Sequence, residues 1–90
     1  MLKLKIGEEI LIKDLHTRFI NNNFMLSEVG MEVLEEDVDV STDLDFFNYL
    51  TYKSKTHKIT VDFDILVYSF ENWLDWYVKI NHISVKRIRR

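Results

Sequence analysis

Apolar and polar positions alternate most strictly between Lys58 and Val67. Ile59, Val61, Phe63, Ile65 and Val67 fall on one side, Thr60, Asp62 and Asp64 on the other. A period of two is that of a half-buried strand, and β-branched and aromatic side chains fill the inward positions. At Tyr68-Ser69 the period changes. Phe70, Trp73, Leu74, Tyr77 and Val78 follow the i, i+3, i+4, i+7, i+8 spacing of an amphipathic helix. Ser69 is the expected N-cap, its hydroxyl accepting from a backbone N–H of the first turn. This strand–helix unit is expected to form the core, with Trp73 and Tyr77 on the buried stripe. Trp76 lies off the stripe, where it either covers the rim of a small core or anchors an interface.

The flanking patterns supply the remaining elements. Leu2, Leu4 and Ile6 alternate with Lys3 and Lys5, which predicts a short first strand ended by Gly7. Glu8 to Asn21 predicts a helix with Leu11, Ile12, Leu15 and Phe19 on one face, supported by Glu9–Lys13 and Asp14–Arg18 pairs at i, i+4. Asn21-Asn22-Asn23 is a stop signal, because Asn tolerates the left-handed conformation that ends helices. Phe24 to Leu34 predicts a second strand with Val29, Met31 and Val33 on one face; Gly30 within it marks a bulge or a close backbone approach. An acidic connection, Glu35 to Ser41, follows and has room for a short edge strand through Val38 and Val40.

Asp43 to Lys53 reads two ways. Thr42-x-x-Asp45 fits a capping box opening a helix through Leu44, Phe47 and Leu50 or Thr51, whereas Phe47, Tyr49 and Thr51 alternate as a strand does. The strand is favoured, joined to the central strand by Ser54 to His57 as a hairpin, because a strong strand usually pairs with its sequence neighbour. Asn81 ends the second helical pattern. Ile83 and Val85 predict a last strand, with Lys86 to Arg90 along or beyond its edge.

The expected order is β-α-β-β-β-α-β. Two helices on one face of a mainly antiparallel sheet of four to five strands make a two-layer α+β sandwich, one domain over residues 1–90. The ferredoxin-like split β-α-β plan, with a strand added, shares that element order.

Composition narrows the chemistry. The 90 residues are 47% apolar and 30% charged, which describes a folded chain, and no cysteine is present. Disulfides, thiol nucleophiles and thiolate metal sites are therefore excluded. No apolar run reaches the ~18 residues of a membrane span, and MLKLKIGEE lacks the apolar core of a secretory signal, so a cytoplasmic location is expected. With Gly7 and Gly30 the only glycines, neither phosphate-cradling loop, G-x-x-x-x-G-K-[ST] or G-x-G-x-x-G, is possible. His16, His57 and His82 stand apart with no metal-ligand spacing. Asp62 and Asp64 share a strand face and could bind Mg²⁺ or act as acid and base, but the solvent side of an amphipathic strand explains them equally well. No catalytic residue, metal or cofactor is expected.

The charge layout says more than the net value of −3. No Lys or Arg occurs between Phe19 and Tyr52, where Glu28, Glu32, Glu35, Glu36, Asp37, Asp39, Asp43 and Asp45 lie. The end of the chain, HISVKRIRR, carries Lys86, Arg87, Arg89 and Arg90 and no acid. Such runs are commonly solvated faces, yet segregation in a small domain also biases its choice of partner.

Elimination leaves a small non-enzymatic interaction protein. The first expectation is an inhibitor whose eight acids and Trp76 bind a partner with a basic surface, such as a nuclease or nucleic-acid-binding effector. Carboxylates on a rigid domain imitate strand phosphates and accelerate association. In stand-alone size, in Lys-, Ile-, Asn- and Asp-rich composition of AT-rich type, and in lacking enzyme motifs, the chain resembles small phage-encoded anti-defence proteins, anti-CRISPR proteins among them. The resemblance is of kind and involves no motif. It implies a nucleic-acid mimic acting in the host cytoplasm. The alternatives are a nucleic-acid-binding regulator using Lys86, Arg87, Arg89 and Arg90, and an immunity protein or antitoxin against a nuclease toxin. Tyr49, Tyr52 and Phe47 would offer stacking faces for nucleic acid, but net acidity and the lack of an RNP-type run count against direct binding. The oligomeric state is open, a homodimer included.

Overall fold

The computed structural model describes residues 2–30, 48–69 and 71–88. It is α+β, with one sheet of five antiparallel strands and, among the described residues, one α-helix. The elements are β1 (Glu9–Leu11), α1 (Ile12–Asn21), β2 (Met25–Gly30), β3 (Tyr49–Lys53), β4 (His57–Val67), a 3₁₀ turn (Trp73–Asp75) and β5 (Tyr77–Arg87). Strand order is β1-β5-β4-β3-β2. The last four strands form a meander, and β1 adds to the outer edge of β5, so α1 connects the two edges of the sheet.

The sheet buries the face its alternation marks through Phe63, with Ile65 partly buried; Val67, expected on the same face, is exposed beyond the register shift between Ile65 and Val67. Leu50 and Tyr52 on β3, Ile59, Val61 and Phe63 on β4, and Val78 and Ile80 on β5 join Ile12, Leu15 and Phe19 of α1 in one core. At about 1.5–3 kcal/mol for each large side chain removed from water, this layer contact is the main stabilising term. Phe19 stacks on Tyr52, and His16 Nδ1 shares a hydrogen bond with the Tyr52 hydroxyl at 2.6 Å. Burial pushes the Tyr52 phenol well above its ordinary range.

The helix ends as Asn21-Asn22-Asn23 predicts. Asn23 takes φ 66°, and the N–H groups of Asn22, Asn23 and Phe24 return to the carbonyls of Phe19 and Ile20. Its start differs from expectation. Glu9 to Leu11 pair with β5, and the first helical N–H, at Ile12, donates to the Trp76 carbonyl at 2.9 Å. Glu9 therefore sits in a strand opposite Lys79 rather than one turn before Lys13. Arg18 reaches past Asp14 to Glu8, making two hydrogen bonds of 2.9 and 2.7 Å. Those bonds hold the Glu8 carboxyl below the usual carboxylate range and raise the Arg18 guanidinium.

Two expected elements are corrected. Leu2 and Leu4 do pack against the core, but residues 2–6 join no ladder; the first paired strand comes after the turn at Gly7. The larger correction is the second helix. Residues 77–80 belong to β5, and the helical spacing survives only as the 3₁₀ turn, capped by the Asn72 side chain accepting from Leu74 N–H rather than by Ser69. The same stretch carries a second pattern of period two: Trp76, Val78 and Ile80 are buried and Lys79 is exposed. Pairing with β4 puts Val78 opposite Ile65 and Ile80 opposite Phe63 and satisfies a row of backbone groups along the β4 edge. A helix on the stripe of Trp73, Leu74, Tyr77 and Val78 would have left Trp76 off the apolar face. With one α-helix among the described residues and the strand order β1-β5-β4-β3-β2, the expected two helices and ferredoxin-like order are not borne out. Asn81 does not end an element; it lies within β5, between the pairs Asp62–His82 and Phe63–Ile80, where the register shifts.

The β3–β4 hairpin confirms the strand reading for 49–53, and Ser54 to Thr56 form its turn. The β2 register shift falls between Leu26 and Glu28, not at Gly30. Gly30 marks a close approach instead, since a Cβ there would meet the Tyr49 ring. The strand expected through Met31 to Leu34, the acidic connection with Val38 and Val40, the capping box at Thr42, and Phe70 lie outside the described residues.

Candidate functional site

The face of the sheet turned away from α1 carries polar side chains in rows that run across the strands. Glu9, Lys79 and Asp64 form one row by their pairing, and His82, Asp62 and Tyr49 the next. Several members are hydrogen-bonded. His82 Nδ1 lies 3.2 Å from Asp62 Oδ2, Asn81 Nδ2 donates to Asp64 Oδ1 at 3.1 Å, and the hydroxyls of Thr51 and Thr60 are 3.0 Å apart. Tyr49 donates to Glu28 Oε1 at 3.1 Å, which raises its phenol pKa. Asp62 and Asp64 thus each engage a β5 side chain on the solvent face. Among the described residues no three His, Asp or Glu side chains gather as a metal-holding group.

At the end of this face the chemistry changes. Lys53 lies directly opposite Lys58 on β4, and Lys58 directly opposite Lys86 on β5. Neighbouring strands are ~4.8 Å apart, so three ammonium groups rise from a line about 10 Å long. Directly opposed like charges destabilise a sheet, and among the described residues no carboxylate makes a close contact with this row: the acid–base contacts there are Arg18–Glu8 and His82–Asp62. Lys55 in the adjoining turn is exposed and lies next to the row, whereas Arg87, also exposed, pairs with His57 and so stands on the other face of the sheet. The Ile88 N–H donates to the Thr56 carbonyl at 2.8 Å, tying the end of β5 to the hairpin turn.

No family model, curated protein or solved structure matches this chain.

The expected site residues divide sharply. Lys86 and Arg87 are exposed on β5, Lys86 in the basic row and Arg87 on the opposite face, while Arg89 and Arg90 lie outside the described residues. Glu28 is exposed on β2; Glu32, Glu35, Glu36, Asp37, Asp39, Asp43 and Asp45 lie outside the described residues. Trp76 is not an exposed anchor. It is 2% exposed, its indole N–H donates to the Ser69 carbonyl at 2.8 Å, and its ring packs against Tyr68. Sequence reasoning missed Lys53, Lys55 and Lys58. Their spacing about the Ser54–His57 turn placed them at one hairpin end, and the last strand was expected through Ile83 and Val85, but the sequence does not say that this strand pairs with β4 in the register that sets Lys86 opposite Lys58.

Among the described residues no helix is long and apolar enough to cross a membrane.

Proposed function

We propose that this chain is a non-enzymatic nucleic-acid-binding protein that holds a phosphate backbone along the basic end of its sheet. The observation that supports this reading is the Lys53–Lys58–Lys86 row, three like charges opposed across neighbouring strands with no carboxylate among the described residues in close contact with them. Such a row costs stability in the free protein and gains it when an anion bridges the cations. The test is titration of a labelled single-stranded oligonucleotide against wild type and a Lys53→Gln/Lys58→Gln/Lys86→Gln variant over a range of salt. Binding should weaken as salt rises, with a slope in log K of roughly −0.7 for each phosphate neutralised on a single strand. The triple variant should bind less tightly and with a shallower slope. Equal affinity and slope for both proteins would rule the reading out.

A second reading rests on a separate observation, the acids of residues 31–47 unaccompanied by any Lys or Arg. In that reading the chain is a protein-binding inhibitor of anti-defence type whose carboxylates occupy the basic groove of a nucleic-acid-processing partner. Changing Glu35, Glu36, Asp37 and Asp39 to the amides would then slow association with a basic nuclease effector. The lysine changes would leave that rate unaltered, so one pair of variants separates the two readings.

A further inference from the structure

The outer side of β5 is paired over only part of its length. Tyr77 to Lys79 pair with β1, the Gly7 N–H donates to the Ile80 carbonyl, and the Ile80 N–H donates to the Glu8 carbonyl. Before Gly7 the chain turns back to α1, where the Lys3 carbonyl accepts from Arg18. From His82 to Arg87 none of the described residues pairs with β5 on that side. An unpaired edge offers a row of backbone donors and acceptors that a further strand can take. We infer that this edge takes an extended acidic peptide as an added antiparallel strand.

Backbone direction shows which groups are offered. The Ile88 N–H donates to the Thr56 carbonyl, on the β4 side. Backbone groups alternate along an antiparallel ladder, so those of His82, Ser84 and Lys86 face β4 as well. Those of Ile83, Val85 and Arg87 face the open side. The side chains alternate too. Ile83 and Val85 stand opposite the buried Val61 and Ile59, on the helix face, yet Val85 is 58% exposed. Arg87 shares that face and Lys86 stands on the other, so the end of the edge carries a cation on each side.

These features decide the occupant. A peptide strand satisfies donors and acceptors together, whereas a phosphate backbone brings acceptors only. In such a pairing main-chain bonds give affinity and alternate side chains give specificity. Opposite Val85 and Ile83 the added strand needs apolar side chains, which take Val85 out of water. Opposite Arg87 and Lys86 it needs two adjacent acids, one for each face, since opposite charges paired across strands stabilise a sheet. In the antiparallel direction the order is acid, acid, apolar, any residue, apolar. The sequence Glu36-Asp37-Val38-Asp39-Val40 of this chain has that order, and it supplies a peptide of defined composition for the test.

The experiment titrates a synthetic peptide of residues 34–42 into the intact protein and follows the β5 amides by NMR. The amide signals of Ile83, Val85 and Arg87 should move saturably, and further than those of Ser84 and Lys86. Binding should weaken as salt rises, and a peptide carrying Glu36→Gln and Asp37→Asn should bind less tightly. Val85→Pro removes one open-side N–H without taking a bond from β4, a change that edge positions tolerate. It should weaken binding roughly tenfold, the loss of about one hydrogen bond. Arg87→Glu leaves the backbone intact and should weaken binding as well; urea midpoints would establish which variants are folded. No binding, equal binding of the two peptides, equal movement along β5, or unchanged affinity in the folded variants would each overturn the edge site. So would movement of the same amides with protein concentration alone, which would place a second copy on the edge. The lysine row stands or falls separately, by its own oligonucleotide titration.

Discussion

Phe19 of α1 lies flat on Tyr52 of β3, with ring centroids 3.9 Å apart and planes within 7° of each other. This is the contact that sets the helix on the sheet. Tyr52 also shares its hydroxyl with His16 one helical turn earlier, so one sheet residue holds two helix positions by different forces. Phe19→Ala should destabilise by about 3–5 kcal/mol, the cost of emptying a fully buried aromatic site. Tyr52→Phe keeps the stack and loses only the hydrogen bond, so it should cost about 1 kcal/mol. Urea midpoints of the two variants test the ranking; equal losses would mean that the stack is not the dominant contact.

Trp76 is the largest fully buried side chain. Trp76→Ala should cost about 3–5 kcal/mol, which in a domain of ordinary stability approaches unfolding. Trp73, half-buried above the core, should cost less on the same change. Thermal melts of both variants decide this, and a greater loss at Trp73 would restore the helical stripe that the strand pairing replaces.

The lysine row should behave as a functional feature rather than a structural one. Lys58→Gln removes the central charge facing both Lys53 and Lys86. Stability should be unchanged or rise by a few tenths of a kcal/mol, because two opposed like-charge pairs disappear. Oligonucleotide affinity should fall with it. Calorimetry and anisotropy on one preparation separate the two effects, and a marked drop in melting temperature would assign Lys58 a structural role.

The Glu8–Arg18 pair has a defined pH signature. The bonds from Arg18 lower the folded carboxyl below the ordinary glutamate value of about 4.3. A depressed carboxyl contributes stability that is fully present above that ordinary value and is lost as pH falls through the folded one. Both side chains are partly exposed, at 36% and 26%, so the contribution is about 1 kcal/mol or less. Glu8→Gln should be less stable than wild type near pH 6 and equal to it near pH 2. A gap that persists in acid would locate the effect elsewhere.

Gly7 takes φ 92° in the turn before β1, and its N–H donates to the Ile80 carbonyl at 2.7 Å. Gly7→Ala meets no neighbouring atom, so its cost is that of the left-handed backbone alone, about 1–2 kcal/mol. Hydrogen exchange of the β1–β5 amides would register it as local loosening of the sheet edge.

The sequence by itself determined the parts of this protein whose information is local. The period of two in Ile59, Val61 and Phe63 marks a strand that no helix face accommodates, and Leu15 and Phe19 mark one helix face. Asn21-Asn22-Asn23 carries its own stop, because a left-handed Asn needs no distant contact. Turn chemistry at Ser54 to His57 likewise joined β3 to β4. Residues 73–80 were ambiguous because Trp73, Leu74, Tyr77 and Val78 satisfy a helical period while Trp76, Val78 and Ile80 satisfy a strand period. Only tertiary structure chose between them: the β4 edge offered a row of backbone partners, and Ile65 and Phe63 offered apolar neighbours to Val78 and Ile80. The basic surface likewise depended on strand pairing. Lys53 and Lys86 are 33 positions apart along the chain, and they share a row because β4 pairs with both of their strands, a relationship that no local pattern contains.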